Sequence, residues 1–456
     1  MTRTLFITHT PPWPTSNGGQ QRSHLLYRAL ERLGEVDLVL MPWSITPHAP
    51  AVVERLRRDY RLVGFPWPQS RGRHGLWSVV RPIAPLYVDA AASLFGSPAI
   101  DYTPDESVAS WLDDHVRDGH YDLVVGRYVQ PTVRSGAIRL APLILDVDDL
   151  DTERIRTELE HAAVPAWRRP LLRRRLRLLE RGLEGWLRQA DHLWVCSEAD
   201  RRMLCAAPPK TARSGLAVSN RSTLPHRSCA GSDATAELPV SVLPNIPFPF
   251  GENARVEALP PSGETQRVLF VGSLNYKVNV RAVDRFVTAV WPIVHAKHPA
   301  AELRLVGGGV SLQRQSGWSR TAGVNVVGFV DNLSTEYRRA AFCIAPIFEG
   351  GGTKIKVLEA LAFGRTCLVT RHAQRGFEHL LHHGESVYVA DNDEQLAAGC
   401  CLLLQDAALR NAMAATGSRV VAQCFSFDHF ASVVRETVER VLDGRGNGLR
   451  RKTRQP

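Results

Sequence analysis

Short apolar runs separated by helix-length segments recur along this chain, and the series starts twice. This alternation constrains the fold more than any other feature. Strands covered on both faces read as continuous apolar runs, and parallel neighbours need a long crossover between them. In the first half the runs are Thr4–Thr8, Glu35–Met41, a weaker Arg61–Gly64, Leu123–Gly126, Leu143–Val147 and His192–Cys196, with a helix over Gln20–Leu33. From about Ala206 to Ala236 the pattern collapses into Ser, Thr, Pro, Ala and Arg without a hydrophobic period, the composition of a flexible linker. The second half restarts with strands at Val268–Gly272, Leu303–Val306, Val324–Val327, Cys343–Pro346, Thr366–Thr370 and Val387–Ala390. Helices are expected over Val280–Ala296, Lys354–Phe363, Glu394–Leu404 and Ala407–Cys424. A chain of 456 residues also exceeds what one core sustains. The expected fold class is α/β, with two Rossmann-like domains facing across a cleft and a flexible interdomain insertion. The expected boundaries are 1–205, an insertion over 206–238, a second domain over 239–425, a C-terminal helix over 426–443 crossing back to the first domain, and a disordered basic tail over 444–456. Ligands bind such sheets at the carboxyl ends of their strands.

Composition removes several classes. The chain has no run of about 18 apolar residues, and its N-terminus lacks a secretory signal pattern. The expected location is therefore the cytoplasm. The eight cysteines are scattered without a C-x-x-C pair, which fits neither a zinc site nor a disulfide framework. The net charge of +10 points to an anionic partner. Nucleic acid is disfavoured, because no aromatic-interleaved recognition module or helix-turn-helix is legible.

Several segments carry chemistry. Thr10–Gly19, between the first strand and first helix, ends in Gly18 and Gly19, where backbone N–H groups can meet an anion, with Arg22 one turn further on. Ile347–Glu359 is the strongest signal. Gly350, Gly351 and Gly352 follow a strand and open a helix, Thr353 is placed to cap it, and Lys354 and Lys356 add positive charge. Glu359 can accept two hydrogen bonds from a ribose diol. After Gly272 ends its strand, Lys277 is within reach of a diphosphate, or is a plain surface lysine. Asp146, Asp148, Asp149 and Asp151 could bind Mg²⁺, orient an acceptor hydroxyl, or form an acidic helix start with Asp151 or Thr152 as cap. The hydroxyl and cap readings are preferred to metal. In Trp167–Leu187, arginines interleave with Leu172, Leu176, Leu179, Leu183 and Leu187. This is a solvated face over a leucine stripe, the favoured reading, or a surface that docks on anionic lipid headgroups.

Together these residues resemble a family 4 glycosyltransferase of the GT-B fold. The likeness rests on PP…NGG…R near the start, VLPN at Val242–Asn245, VLFVGSLNYK at Val268–Lys277 and GGGTKIKVLEALAFG at Gly350–Gly364. It is nearest to sugar transferases of exopolysaccharide gene clusters, through a D-x-x-D-x-D-S/T stretch at Asp146, Asp149, Asp151 and Thr152. The resemblance implies a nucleotide-sugar co-substrate, no cofactor, a glycan, lipid-linked or small-molecule acceptor, and peripheral work at the inner membrane face. Glu359 matches the second glutamate of the family's Glu-x7-Glu pair, which binds the donor ribose. The first falls on Gly351, with Glu349 two residues off as the nearest substitute. The family's arginine after the strand-ending glycine is Ser273 here, which leaves Lys277 for phosphate and makes Lys356 the candidate replacement cation. A frequent first-domain histidine falls on Asp148.

The expected reaction is sugar transfer to an acceptor hydroxyl, with retention and without a divalent metal. Gly351, Gly352, Thr353, Lys277 and Lys356 would stabilise the leaving diphosphate, Gly18 and Gly19 would complete the site, and Asp148 or Asp149 would orient the acceptor. The competing readings are a non-catalytic nucleotide-sugar-binding subunit and a nucleotide-sugar epimerase of the same architecture.

Overall fold

The structure is a computed structural model that describes residues 1–15, 17–41, 50–64, 105–140, 142–148, 151–160, 164–206, 238–247 and 262–452. The expected insertion therefore lies outside the described residues for 207–237. The chain divides into two compact units, Met1–Leu243 with Ala431–Pro456, and Pro244–Phe430.

In the first unit, seven described strands form one parallel sheet: β1 (Thr2–Thr8), β2 (Gly34–Leu40), β3 (Leu62–Gly64), β4 (Leu123–Arg127), β5 (Leu143–Val147), β6 (His192–Val195) and β7 (Val240–Val242), in the order β3-β2-β1-β4-β5-β6-β7. Central strands are fully buried, as Leu123–Arg127 and Leu143–Val147 show at every position. This is why the sequence reads as apolar runs rather than as alternation. The leucine stripe of the Arg168–Leu187 helix is core: Leu172, Leu179 and Leu187 are buried, with Leu176, Leu183 and Trp186 packed against the same cluster. Trp194 of β6 is fully buried, and its indole N–H donates to Thr437 Oγ1 at 3.2 Å, tying the C-terminal helix, Phe427–Lys452, to this unit; that helix continues past the expected bound at 443, through residues expected to be a disordered tail.

The second unit carries β8 (Arg267–Val271), β9 (Glu302–Val306), β10 (Val324–Gly328), β11 (Phe342–Ala345), β12 (Cys367–Thr370) and β13 (Val387–Ala390), all parallel, in the order β10-β9-β8-β11-β12-β13. The helix expected over Val280–Ala296 starts earlier, at Lys277. It runs as an α-helix to Arg285, loosens into a π-helical turn at Phe286–Val290, and resumes over Trp291–Lys297. Its apolar side, from Val280 to Val294, joins the unit's core.

Both sheets reverse their strand order once, between β1 and β4 and between β8 and β11. At such a reversal neighbouring crossovers leave toward opposite faces. The carboxyl ends of those strands therefore border an open crevice. Of the motifs singled out in the sequence, Thr10–Gly19 follows β1, the Asp146–Thr152 segment begins at the end of β5, Lys277 follows β8 and the Gly350–Gly352 loop follows β11.

Candidate active site

In the first unit, the loop after β1 leads into the Gly18–Glu31 helix, which is capped by Asn17: its side-chain oxygen accepts from Gln20 N at 3.0 Å. Arg22 does not stand open beside this helix start. It is fully buried and grips Asp146 with two bonds, Nη2 to Oδ1 at 2.5 Å and Nε to Oδ2 at 3.0 Å, and Nη1 donates to Leu243 O at 3.0 Å. Arg127, at the end of β4, is equally buried. It donates to Asp146 Oδ2 at 2.8 Å, Asp148 Oδ2 at 2.8 Å, Ser23 Oγ at 2.9 Å and Gly19 O at 3.0 Å. Two guanidiniums thus face two carboxylates in a neutral, hydrogen-bonded cluster, the arrangement that makes buried charge tolerable. Asp148 keeps 14% of its side chain exposed, and it also accepts from Tyr128 Oη at 3.1 Å and from the Cys196 thiol at 2.8 Å. Tyr128 has φ 66° and ψ 144°, a backbone region that glycine tolerates and other residues rarely enter. His9 stacks on its ring at 4.6 Å, and burial, followed by the charge of Arg127, lowers the His9 pKa to about 3. Asp149 lies outside the described residues. No group of three or more His, Cys, Asp or Glu side chains placed for a metal occurs among the described residues.

In the second unit, the glycine loop follows β11. Gly350 and Gly352 have φ values of 92° and 65°, so side chains there would be strained. The helix opens at Ile355 with Lys354 at its N-cap and no side-chain cap bond. Thr353, expected as the cap, instead accepts from Asn245 Nδ2 at 3.0 Å, because that buried amide reaches it from the segment after β7. Lys354 bends back on its own loop and donates to the carbonyls of Gly350, Gly351 and Gly352 at 3.2, 2.6 and 3.0 Å. Glu349 is buried and ion-paired to Arg281.

Lys356 turns the other way. Its ammonium donates to Asn279 Oδ1 at 2.7 Å and lies 4.4 Å from the centre of the Phe270 ring. Gly272 makes this possible: a Cβ there would come within 2.8 Å of Lys356 Nζ and 2.9 Å of Asn279 Nδ2. Asn279 in turn donates to Ser273 O at 2.9 Å, so it links the β8 loop to Lys356. Desolvation, followed by the charge of Lys354, lowers the Lys356 pKa to about 7. Glu359, one turn on, is buried with Tyr337 Oη donating to it at 3.3 Å, and desolvation raises its pKa to about 7. Lys277 is the first residue of its helix and is exposed. Asn279, His372 and Tyr337 were not singled out by sequence reasoning, and Asn245 only as the end of the VLPN segment, with no role attached. Their bonds to Lys356, Gly350, Glu359 and Thr353 span 22 to 108 positions, so no local spacing marks them.

Two parallel-sheet α/β units with glycine loops at the strand reversal define the GT-B class of glycosyltransferase fold. Residues 265–406 match the family model described as "Glycosyl transferases group 1". The chain is a glycosyltransferase on the strength of that domain. No curated protein matches in sequence. Among solved structures, sucrose-phosphate synthase from Thermosynechococcus elongatus is similar at 16% identity and a TM-score of 0.60, over 97% of this chain and 100% of that one. Anabaena HepE in complex with UDP and glucose is similar at 14% identity and a TM-score of 0.56, over 96% and 100%. WaaG, a glycosyltransferase involved in lipopolysaccharide biosynthesis, is similar at 14% identity and a TM-score of 0.55, over 94% and 99%.

Proposed function

We propose that this protein moves a sugar from a nucleotide-sugar donor to the hydroxyl of a glycan or lipid-linked acceptor, with retention and without a divalent metal. The observation that carries the reading is the Gly350–Thr353 loop with the Lys356 ammonium close to Gly272, inside the matched glycosyltransferase segment. Breaking the anomeric bond puts negative charge on the departing diphosphate. Backbone N–H groups of the glycine loop, with Lys356 and Lys277, would be held ready to stabilise that charge. Glu359 would accept from the ribose hydroxyls. Phe329, 69% exposed just past β10 and beside Gly308, offers a ring on which a base can stack. Asp148, oriented by Arg127 and Tyr128, would hold the acceptor hydroxyl. The leaving phosphate would take the acceptor's proton, as the family resemblance implies. HepE with UDP and glucose, and Staphylococcus aureus TarM with UDP and alpha-GlcNAc-glycerol, support this class of donor and acceptor. A panel of UDP-, GDP- and ADP-sugars read by thermal stabilisation, followed by product analysis with and without EDTA, tests it. Transfer with unchanged anomeric configuration in EDTA is expected; an isomerised donor or an EDTA-dead enzyme would refute it.

One observation favours a binding subunit instead: Gly351 stands where the family carries its first glutamate, and Glu349 is held by Arg281. Donor stabilisation without turnover would establish that reading. Peripheral contact with an anionic cytoplasmic leaflet belongs to the same proposal. Arg168, Arg173, Arg174 and Arg177 are exposed beside Trp167, which is 59% exposed, while Leu172, Leu179 and Leu187 of the same helix are buried. No helix among the described residues is long and apolar enough to cross a membrane.

A further inference from the structure

Lys354 reads in the sequence as a cation for the donor phosphates, but its geometry serves another purpose. Its ammonium lies within hydrogen-bond distance of three consecutive carbonyls, those of Gly350, Gly351 and Gly352. His372 Nε2 is 2.8 Å from the first of them, Gly350 O. A carbonyl only accepts, so this contact fixes the Nε2–H tautomer. In a planar trans peptide the C=O of one residue points opposite to the N–H of the next. Turning the carbonyls of residues 350, 351 and 352 toward Lys354 therefore turns the N–H groups of Gly351, Gly352 and Thr353 to the face of the loop opposite the ammonium. Successive N–H groups on such a face can hold an anion where the backbone alternates in handedness. The positive φ values at Gly350 and Gly352 are the backbone condition for that arrangement.

We propose that Lys354, assisted by His372, is a positioning residue: it gathers the glycine-loop carbonyls and so aims the loop's N–H groups at the donor diphosphate, without itself touching the phosphates. This rests on the donor-site reading above and deepens it. It also divides the labour of the two lysines two positions apart. Lys356 is bound through a side-chain amide and stays next to Gly272, whereas Lys354 acts on the backbone from behind. Replacing either destroys a positive charge, but only Lys354 should alter the loop before any ligand is present.

The test is Lys354→Met beside Lys354→Arg and His372→Ala, with two readouts. The first is amide hydrogen exchange of the ligand-free protein at Ile355 and Val357, whose N–H groups donate to Thr353 O and Lys354 O where the loop enters its helix. The second is calorimetric binding of UDP and of inorganic pyrophosphate. Lys354→Met should speed exchange at these two amides at least tenfold, leave the rest of the second unit protected, and weaken both ligands at least tenfold. Lys354→Arg should restore most of both, since a guanidinium also gathers carbonyls, and His372→Ala should give a smaller change in the same direction. Unchanged exchange in the ligand-free Lys354→Met protein would overturn the proposal, as would faster exchange with undiminished binding. If the unaltered protein binds neither UDP nor pyrophosphate, the donor-site reading itself fails, and the clamp has no ligand to serve.

Discussion

The two units place buried charge at equivalent points, the carboxyl ends of the strands at each reversal, and treat it in opposite ways. In the first, Arg22 and Arg127 are matched by Asp146 and Asp148, and these charges also meet hydroxyl and carbonyl groups and the Cys196 thiol. In the second, Lys356 is held by an amide and an aromatic ring, and among the described residues no carboxylate lies within ion-pair distance of its ammonium. A matched cluster is rigid and has no net charge left to offer a ligand. An unmatched, desolvated ammonium is destabilised until an anion arrives. The first unit therefore holds geometry, and the second keeps a charge available for a diphosphate.

The largest expected effect comes from breaking the matched cluster. Asp146→Ala leaves two buried guanidiniums without their shared anion and should cost about 3–5 kcal/mol. Urea unfolding monitored through Trp194, which is buried in the first unit, should show an early loss of that unit. A change below about 1 kcal/mol would mean the cluster contributes little to the fold.

Breaking the unmatched site should move binding rather than stability. Lys356→Met should weaken UDP or GDP binding by about 1.5–3 kcal/mol, the worth of a hydrogen bond to a charged group. The melting temperature should hold or rise, because a desolvated charge is gone. Equal donor affinity with a lower melting temperature would assign Lys356 to structure alone. Glu359→Ala should weaken donor binding within the same range and leave the fold intact, as calorimetry on the folded variant would show.

The pH dependence sharpens the comparison. The Lys356 pKa is lowered to about 7, and a bound diphosphate would raise it. Donor affinity should therefore fall as pH rises above 7, by about tenfold per unit at most. The Glu359 pKa is raised to about 7, and its ionised form is the better acceptor for ribose hydroxyls, so affinity should also fall as pH drops below 7. Lys356→Arg should remove the upper limb and Glu359→Gln the lower. A flat profile in the unaltered protein would sink both assignments. The smallest effect concerns the arginine face. Each of Arg173→Ala, Arg174→Ala and Arg177→Ala should weaken sedimentation with anionic vesicles at low salt by about 1 kcal/mol. High salt should abolish binding, and neutral vesicles should show none; equal partitioning to neutral vesicles would leave this helix as a solvated face only.

Much of this was readable in advance because it is local. Strand positions agree with the expected runs to within a residue or two, since a buried parallel strand must be apolar throughout. The glycine loop announced itself because positive φ favours glycine. The Trp167–Leu187 stripe was legible as core from its helical spacing alone. Helix starts were less secure. Thr353 is a sound cap by residue type, but Asn245 had already engaged its hydroxyl from 108 positions away.

By itself, then, the sequence determined two parallel α/β units, the loops at their strand reversals, and the short list of glycines, lysines and carboxylates those loops carry. Tertiary structure alone decided what each charge does. Arg22 and Asp146 are 124 positions apart, and Lys356 and Asn279 are 77 apart. A charged side chain takes its role from the solvent it loses and the partner it meets, and both depend on which distant strands become neighbours. Lys354 and Lys356 are nearly indistinguishable in sequence. They differ because Lys354 stands outside the helix, at its N-cap with ψ 82°, and bends back onto three carbonyls, whereas Lys356 is in the first helical turn and passes under Gly272, where only the packing of β8 leaves room for it.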